Sequence, residues 1–494
     1  MLVLELNEVP YKVIDAFVQR HPHSHWAEAV QRAARFEVFN PDSGQLHPKV
    51  SWQTFHRGVP DHVHGFLEYN QTDAPGAESC PNIWDRLRRA GHSVGVGASI
   101  GAWPVPEDHE NIAFYLPDPF APEPVAIPER LATFQQFNTR AVAHSGRNVR
   151  TGGFRFLDVA RLAGNMAMLG ISPATVWSTV EQLIDERRNH KRVVRRRNIQ
   201  ALLSFDVVLH QIRKQHPAFA TIFANHVAAA MHRYWAAAFP DDYEQNNMHE
   251  DWRRDYGDEI DVAMTHADHM IGRLLKLARE QQDVKILVTS SMGQHAIEHE
   301  VTHNQLMISD MQAFMRAIGF ENDEYRQLPG MEPEYVIDCR DEATADRFRG
   351  VLRQQVVVDG EPPMVKPSNA TQTAFLVFRT NVDIDRILVN DREVPLTEAG
   401  LHVEAIQDMA GSTAQHVPAG SCLVFDGRND LSRHSDAREH DMTRITTSIL
   451  AHFDVPWDAP LQEPIEALVN ALNDSGQASS QRSVGLTTGS TVAG

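Results

Sequence analysis

The stretch "IDVAMTHADHMIGRLLKLAREQQDVKILVTSS", residues 260–291, decides the fold because a helical period and a strand pattern follow each other in it. Its first part places apolar side chains on one face of a helix: Val262, Ala263, Ala267, Met270, Ile271, Leu274 and Leu275. "VKILVTSS" is typical of a short, buried strand at the centre of a sheet. A helix followed at once by such a strand predicts a crossover unit of a parallel sheet.

The same alternation of strand and helix recurs on both sides of this unit. "LVLELN" is followed by the helical "PYKVIDAFVQRH", and "CPNIWDRLRRAGHSVGVG" combines a helix, a glycine at its end and a strand. Further on, "FATIFAN" runs directly into "HVAAAMHRYWAAAF". The sequence therefore predicts an α/β fold with a central, mostly parallel sheet flanked by helices.

Two segments break this alternation. Residues 118–215 are mostly helical and predict a helical cap insertion, whereas residues 358–427 contain short alternating strands and predict a small β-rich insertion. The α/β core would then comprise residues 1–117, 216–357 and 428–472. Residues 473–494 are rich in Ser, Gly and Thr, a composition typical of a disordered tail.

Composition excludes several classes of function. The 494 residues carry a formal net charge of −19, which argues against a general nucleic-acid binder. The three cysteines are widely spaced and form no CxxC pair, so a thiolate zinc site is not indicated. Any metal would be bound by oxygen and imidazole ligands.

The N-terminal sequence "MLVLELNEV" begins directly as a strand, without the basic and apolar regions of a signal peptide. No apolar run reaches the roughly 18 residues that a membrane span needs. These features predict a cytoplasmic protein with no membrane partner, and they leave the oligomeric state open.

The stretch "HPKVSWQTFHRGVPDHVHGF", residues 47–66, surrounds a Gly-Val-Pro turn with hydroxyl and imidazole side chains. In a parallel sheet, functional residues collect where strands end and helices begin. Ser51 and Thr54 lie at such a transition, where either could also simply cap a helix. His56 could act as an acid or base, and His64 is expected to hold the shape of the loop.

These segments together resemble the alkaline phosphatase superfamily, in particular its type I phosphodiesterase and nucleotide pyrophosphatase branch. "LELNEV" lies where the family has a first strand ending in G-L-D-G, and "PKVSWQ" with "RGVPDHVHG" lies where it has P-T-x-T-[FW]-P-N and T-G-x-x-P-x-x-H-G. "FANHVAAAMH" and "ILVTSSMGQ" lie at its P-D-x-x-G-H and V-T-S-D-H-G-M segments. The resemblance covers roughly residues 1–110 and 216–300.

The resemblance implies a small anionic substrate as partner, and metal ions that bind its phosphoryl or sulfuryl group while a Ser or Thr oxygen attacks it. Ser51 and Thr54 are then alternative candidates for the nucleophile. Here Asn7 and Asn225 stand where the family has acidic ligands, and Ser291 and Met292 replace an Asp-His pair. The sequence therefore predicts at most one divalent ion, zinc, or none.

The residues that could hold this ion are Asn225, His226 or His232, and a late histidine, for which His434 is favoured over His440. Asn7, Glu8, Ser291 and Gln294, which lie at or just after strand ends, are expected to contact the substrate.

Two functions follow as hypotheses. The first is an enzyme that hydrolyses or transfers a phosphoryl- or sulfuryl-type ester, with a nucleotide- or sugar-linked substrate in a biosynthetic pathway. The second is a catalytically degenerate binding or scaffold protein that keeps the oxyanion pocket. The missing carboxylates favour the second hypothesis, and the histidine-rich segments favour the first.

Overall fold

The computed structural model describes residues 1–44, 46–72, 74–143, 168–281, 284–330, 334–367, 370–377 and 379–475. The predicted disordered tail therefore lies almost entirely outside the described residues. The strands are β1 (Leu2–Leu6), β2 (Ala34–Phe39), β3 (Val94–Gly97), β4 (Ile112–Leu116), β5 (Phe219–Ala224), β6 (Ile286–Thr289), β7 (Gly293–Ala296), β8 (Asn304–Ile308), β9 (Tyr325–Leu328), β10 (Glu334–Cys339), β11 (Val356–Val357), β12 (Met364–Pro367), β13 (Gln372–Leu376), β14 (Arg386–Val389), β15 (Arg392–Pro395), β16 (Leu401–Ala405), β17 (Ala414–Val417), β18 (Ala419–Phe425) and β19 (Asp436–Asp441).

The α-helices span Tyr11–Arg20, His25–Arg32, Pro48–Arg57, Asp61–His64, Ile83–Arg89, Ala132–Ala143, Pro173–Arg188, Arg196–Gln215, His226–Ala238, Glu250–Tyr256, Glu259–Glu280, Met311–Ala317, Glu342–Gln354, Thr443–His452 and Glu466–Asn473. None of the helices in the described ranges is long and apolar enough to cross a bilayer.

Eight strands form the central sheet, in the order β19-β2-β18-β6-β1-β5-β3-β4. Seven of them run parallel, and β18 is antiparallel to both of its neighbours, β2 and β6. The wholly buried β1 lies at the centre, between β5 and β6. The predicted α/β fold with a mostly parallel sheet is confirmed.

Helices cover both faces of the sheet, and β1 shows how its residues are divided between them. Leu2, Leu4 and Leu6 belong to the core cluster that includes the helices His226–Ala238 and Glu259–Glu280. Val3 belongs to the other cluster, which includes the helix Pro48–Arg57. Because strand side chains alternate between faces, Glu5 lies on the Val3 side, beneath the helix Pro48–Arg57.

The inserted unit is larger than the sequence indicates and lies earlier in the chain. Its own core runs from Leu306 to Leu401 and includes the helix Glu342–Gln354, so the unit is mixed α and β. The segment "SCLVFDG", predicted to belong to the insertion, instead forms much of β18 in the central sheet. An apolar strand carries no local signal of which sheet it will join.

The segment predicted as a helical cap also contributes to the core. The helix Arg196–Gln215 packs against β3, β4 and β5, and its apolar residues belong to the main core cluster. Residues 144–167 of this segment lie outside the described residues. The described helix Pro173–Arg188 is more peripheral, with Trp177 63% exposed.

Candidate active site

Three polar residues meet at the carboxyl ends of the central strands. Asn7 follows β1, Asn225 follows β5, and Ser291 lies two residues after β6. β1 and β5 are in register from Leu2 opposite Ala220 to Leu6 opposite Ala224, which brings Asn7 and Asn225 side by side. This convergence follows from the parallel topology, because neighbouring parallel strands end at the same edge of the sheet.

Asn7 is the centre of a buried hydrogen-bond cluster. Its Nδ2 donates to Glu8 Oε1 and to Asn225 Oδ1, both at 2.7 Å. Its Oδ1 accepts a hydrogen bond of 2.8 Å from Trp52 Nε1. The side chain is 1% exposed, so the amide satisfies its polar atoms within the protein rather than with water.

Ser51 lies on a helix and not on a loop. Pro48 occupies the first turn and Gly58, with φ of 71°, ends the helix in the left-handed conformation, which explains why residues 48–57 are helical. Ser51 Oγ donates to the carbonyl of His47 at 3.1 Å and lies 2.9 Å from Ser291 Oγ. Ser51 is fully buried, and its two neighbours place it directly beside the end of β6.

The first turn of this helix is already satisfied internally. The N–H groups of Val50 and Ser51 bond to the carbonyl of His47, and the N–H of Lys49 bonds to His47 Nδ1 at 3.3 Å. In the structure those groups have partners, so an anion would have to displace the His47 ring to reach the Lys49 donor.

Thr54 and His56 lie on the same helix but bond away from Ser51. Thr54 Oγ1 donates to Asp42 Oδ1 at 2.6 Å and lies 3.0 Å from His64 Nε2, so it braces the segment around the Gly-Val-Pro turn. His56 Nε2 bonds to Glu5 Oε1 at 2.8 Å, and both side chains are fully buried. His56 therefore occupies the core beneath the site and does not reach the Ser51 hydroxyl.

Glu8 connects this cluster to two histidines. Its Oε2 lies 3.0 Å from His232 Nε2 and 3.3 Å from His416 Nε2, and it accepts a hydrogen bond from Gln294 Nε2. The backbone of Glu8 is left-handed, with φ of 61°. A non-glycine residue in this conformation is uncommon, and such strain often occurs at functional sites.

Glu8, His232 and His416 can hold one metal ion. The oxygen and the two nitrogens all lie within 4.8 Å of one another. Ligands placed tetrahedrally around zinc at about 2.0–2.1 Å are about 3.3 Å apart, close to the observed separations from Glu8. A set of two histidines and one glutamate leaves a fourth position open for water or substrate, which is the pattern of catalytic zinc sites.

The two imidazoles are already oriented for this role. His232 Nδ1 lies 3.1 Å from the carbonyl of Ala414, and His416 Nδ1 lies 2.8 Å from the carbonyl of Leu46. A carbonyl oxygen only accepts hydrogen bonds, so each Nδ1 carries a proton. Each ring then turns its Nε2 toward Glu8, so Nε2 is the atom that would offer a lone pair to a bound ion.

The electrostatics agree with a tightly coupled cluster. Burial alone would raise the pKa of Glu8, but His416 and His232 hold it well below its usual range. Burial lowers the pKa of His416, whereas the charge of Glu8 raises it. The net shift of the His416 pKa is upward. Glu8 is thus a carboxylate under ordinary conditions and can offer a charged oxygen to a cation.

The structure does not bring His434 to this cluster. Its Nε2 bonds to Asp474 Oδ2 at 2.7 Å, and the carbonyl of Asp474 accepts a hydrogen bond from Lys285, immediately before β6. His434 therefore lies at the amino end of the parallel strands, opposite the site. His226 also lies outside the cluster, because it is buried beside His266 of the helix Glu259–Glu280.

His416 is the histidine that sequence reasoning missed. It lies on β17, which pairs with β7 so that His416 is opposite Gln294. The sequence signal that could have indicated His416 is that "AQHVP" comes just before "SCLVF". Because "SCLVF" belongs to the central sheet as part of β18, the preceding strand β17 lies near the strand ends. Of the predicted ligands, Asn225 bonds to Asn7, and only His232 contacts Glu8.

Comparison with known proteins gave matches to solved structures only. A scan against protein-family models and a search of curated proteins gave no match. The structure is similar to murine ectonucleotide pyrophosphatase/phosphodiesterase 5, with 12% identity, 94% of this chain and 96% of that chain covered, and a TM-score of 0.39.

Two further structures show the same level of similarity. A TAB5 alkaline phosphatase variant with magnesium bound matches with 9% identity, coverage of 92% and 98%, and a TM-score of 0.39. Phosphonoacetate hydrolase from Sinorhizobium meliloti 1021, in complex with phosphonoformate, matches with 11% identity, coverage of 96% and 95%, and a TM-score of 0.33. The α/β architecture of this chain is established by its own eight-stranded, mostly parallel sheet.

Proposed function

We propose that this protein binds a small anionic ester of the phosphoryl type and cleaves it, by hydrolysis or by transfer, with one zinc ion held by Glu8, His232 and His416. The proposal is carried by one observation: these three candidate ligands and the Ser51 and Ser291 hydroxyls lie at the same edge of the sheet. The motif resemblance supports the same substrate class, and the residues here determine how the site would work.

The ion would supply positive charge to polarise a phosphoryl oxygen. Glu8 and the two imidazoles would leave one net positive charge on a divalent ion, which suits an anionic ligand. Ser51 would be the candidate nucleophile, with its Oγ positioned by His47 and Ser291. Thr54 and His56 would act on the shape of the site rather than on the reacting atoms.

A second candidate function is ligand binding without turnover. It is favoured by the complete burial of Ser51 and by the hydrogen bonds that already occupy the first helical turn. Protein that contains the ion and binds phosphate esters, yet cleaves none of them, would establish this second function.

The test begins with protein purified without chelator. We expect elemental analysis to find about one zinc per chain, because three protein ligands with one open position is the usual catalytic zinc set. The same protein should cleave at least one member of a panel of phosphomonoesters, phosphodiesters and sulfate esters. Absence of both ion and turnover would refute the proposal.

Matched histidine variants locate the ion. His416→Ala should remove the zinc, because it deletes one of three ligands. His434→Ala should leave the ion in place, since His434 lies at the other end of the sheet. His402→Ala is the control, because His402 pairs with Glu404 on β16 of the inserted unit. Retention of zinc by His416→Ala would show that the ligand set is wrong.

A further inference from the structure

Both oxygens of the Glu8 carboxylate are held by side-chain amides. Asn7 Nδ2 donates to Oε1, and Gln294 Nε2 donates to Oε2. Asn7 comes from the end of β1 and Gln294 from β7, so the two donors approach from different elements. All three side chains are at most 2% exposed, which keeps water from replacing either donor.

The orientation of the Asn7 amide is fixed by its neighbour. The indole N–H of Trp52 can only donate, so the atom that faces it must be the Asn7 oxygen. The amide nitrogen is then necessarily the atom directed at Glu8 and Asn225. Both of its hydrogens are used, which joins the ends of β1 and β5 through a neutral group.

The orientation of the Gln294 amide leaves one of its polar atoms without a hydrogen-bond partner. Its Nε2 also donates to the carbonyl of Ala228 at 3.2 Å, whereas its Oε1 is buried without a hydrogen-bond partner. An unsatisfied buried oxygen is unfavourable. Turning the amide over would bring this oxygen against the Glu8 carboxylate and the Ala228 carbonyl, so the observed orientation is the one that supports Glu8.

We infer that Asn7 and Gln294 are positioning residues that orient the Glu8 carboxylate toward His232 and His416, and so prepare it to bind one divalent ion. This inference rests on the proposed function, because it assumes that the Glu8 cluster holds an ion. A carboxylate at a strand end could otherwise rotate about its last bond. Two fixed donors restrict that rotation, and the amides add no charge of their own.

The test uses Co²⁺ as the probe, because its affinity can be measured by competition with a coloured chelator and its visible spectrum reports ligand geometry. Asn7→Leu and Gln294→Met remove the donors with little change in size and no change in charge. We expect each variant to bind Co²⁺ about tenfold to hundredfold more weakly, the usual effect of losing a partner that orients a metal ligand. The visible spectrum should also change.

Asn40→Leu is the matched control. Asn40 is a buried asparagine just after β2 that donates to the carbonyl of Ser291 at 3.0 Å and has no hydrogen bond to Glu8. It should lose stability as Asn7→Leu does, yet keep wild-type Co²⁺ affinity. If Asn7→Leu does not fold, Gln294→Met decides the question.

Two results would overturn the inference in different ways. Wild-type affinity and an unchanged spectrum in a folded Gln294→Met variant and in any folded Asn7→Leu variant would show that Glu8 needs no positioning. If the unvaried protein itself takes up no Co²⁺, the proposed ion site is refuted, and the role of both amides falls with it.

Discussion

At the residue scale, the two hydroxyls that the sequence could not separate have different surroundings. Ser51 faces Ser291 at the strand ends, whereas Thr54 faces Asp42 and His64. Burial raises the pKa of Asp42, and the hydrogen bond from Thr54 partly offsets this effect. The structure therefore favours Ser51 for chemistry and Thr54 for stability.

Single substitutions should separate these roles. Ser51→Ala should lower turnover roughly hundredfold or more, as expected for loss of a nucleophile, with little change in unfolding. Thr54→Val should keep turnover but lower the free energy of unfolding by about 1–3 kcal/mol, because it leaves buried partners unsatisfied. Steady-state kinetics and urea unfolding measure the two effects. Equal kinetics for Ser51→Ala and wild type would exclude Ser51 as the nucleophile.

At the element scale, Asp118 ties together the segments that follow β3 and β4. Its Oδ2 accepts from the N–H of Gly101 at 3.2 Å and its Oδ1 from the N–H of Phe120 at 2.9 Å. Gly101 has φ of 80°, a left-handed backbone conformation that favours glycine. Asp118 is 2% exposed, and burial raises its pKa to about 6 despite these donors.

The raised pKa of Asp118 predicts a pH dependence of stability. Since the folded state holds the proton more tightly than the unfolded state, the stabilisation is complete below the ordinary value of 3.8 and is lost as pH rises through about 6. The free energy of unfolding of wild type relative to Asp118→Asn should therefore be larger at about pH 5 than at about pH 7.5. Chemical denaturation at both pH values measures it, and a constant difference would contradict the assignment.

Local patterns explain which elements the sequence could predict. The apolar faces and strands around β1, β5 and β6 are continuous in the chain, and residues that directly follow them, such as Asn7 and Ser291, could be placed at the site. His416 could not, because its position depends on the pairing of β17 with β7, more than a hundred residues apart. His434 follows β18, which runs antiparallel to its neighbours and therefore ends at the edge opposite the site.

At the scale of the whole molecule, the proposed ion would join distant parts of the chain. Glu8 belongs to the first strand segment, His232 to the helix His226–Ala238, and His416 to β17. Any ligand that binds only the folded state stabilises it by mass action. Removal of the ion should therefore be visible as a loss of global stability, and not only as a loss of activity.

Zinc titration tests this at the same scale. Chelator-treated protein supplied with free zinc at about one hundred times its dissociation constant should gain about 2.7 kcal/mol in free energy of unfolding. His416→Ala should gain little, whereas His434→Ala should respond as wild type does. An identical response in the His416 and His434 variants would place the ion elsewhere.

The hydrogen bond from His416 to Leu46 spans 370 residues and has a consequence for synthesis of the protein. A ribosome makes the amino-terminal strands and Ser51 long before it makes β17 and β18. Until then β6 and β2 lack the strand that separates them, and Glu8 has no second imidazole. Assembly of the Glu8, His232 and His416 cluster is thus a late event, and translation products that end before β17 would lack it.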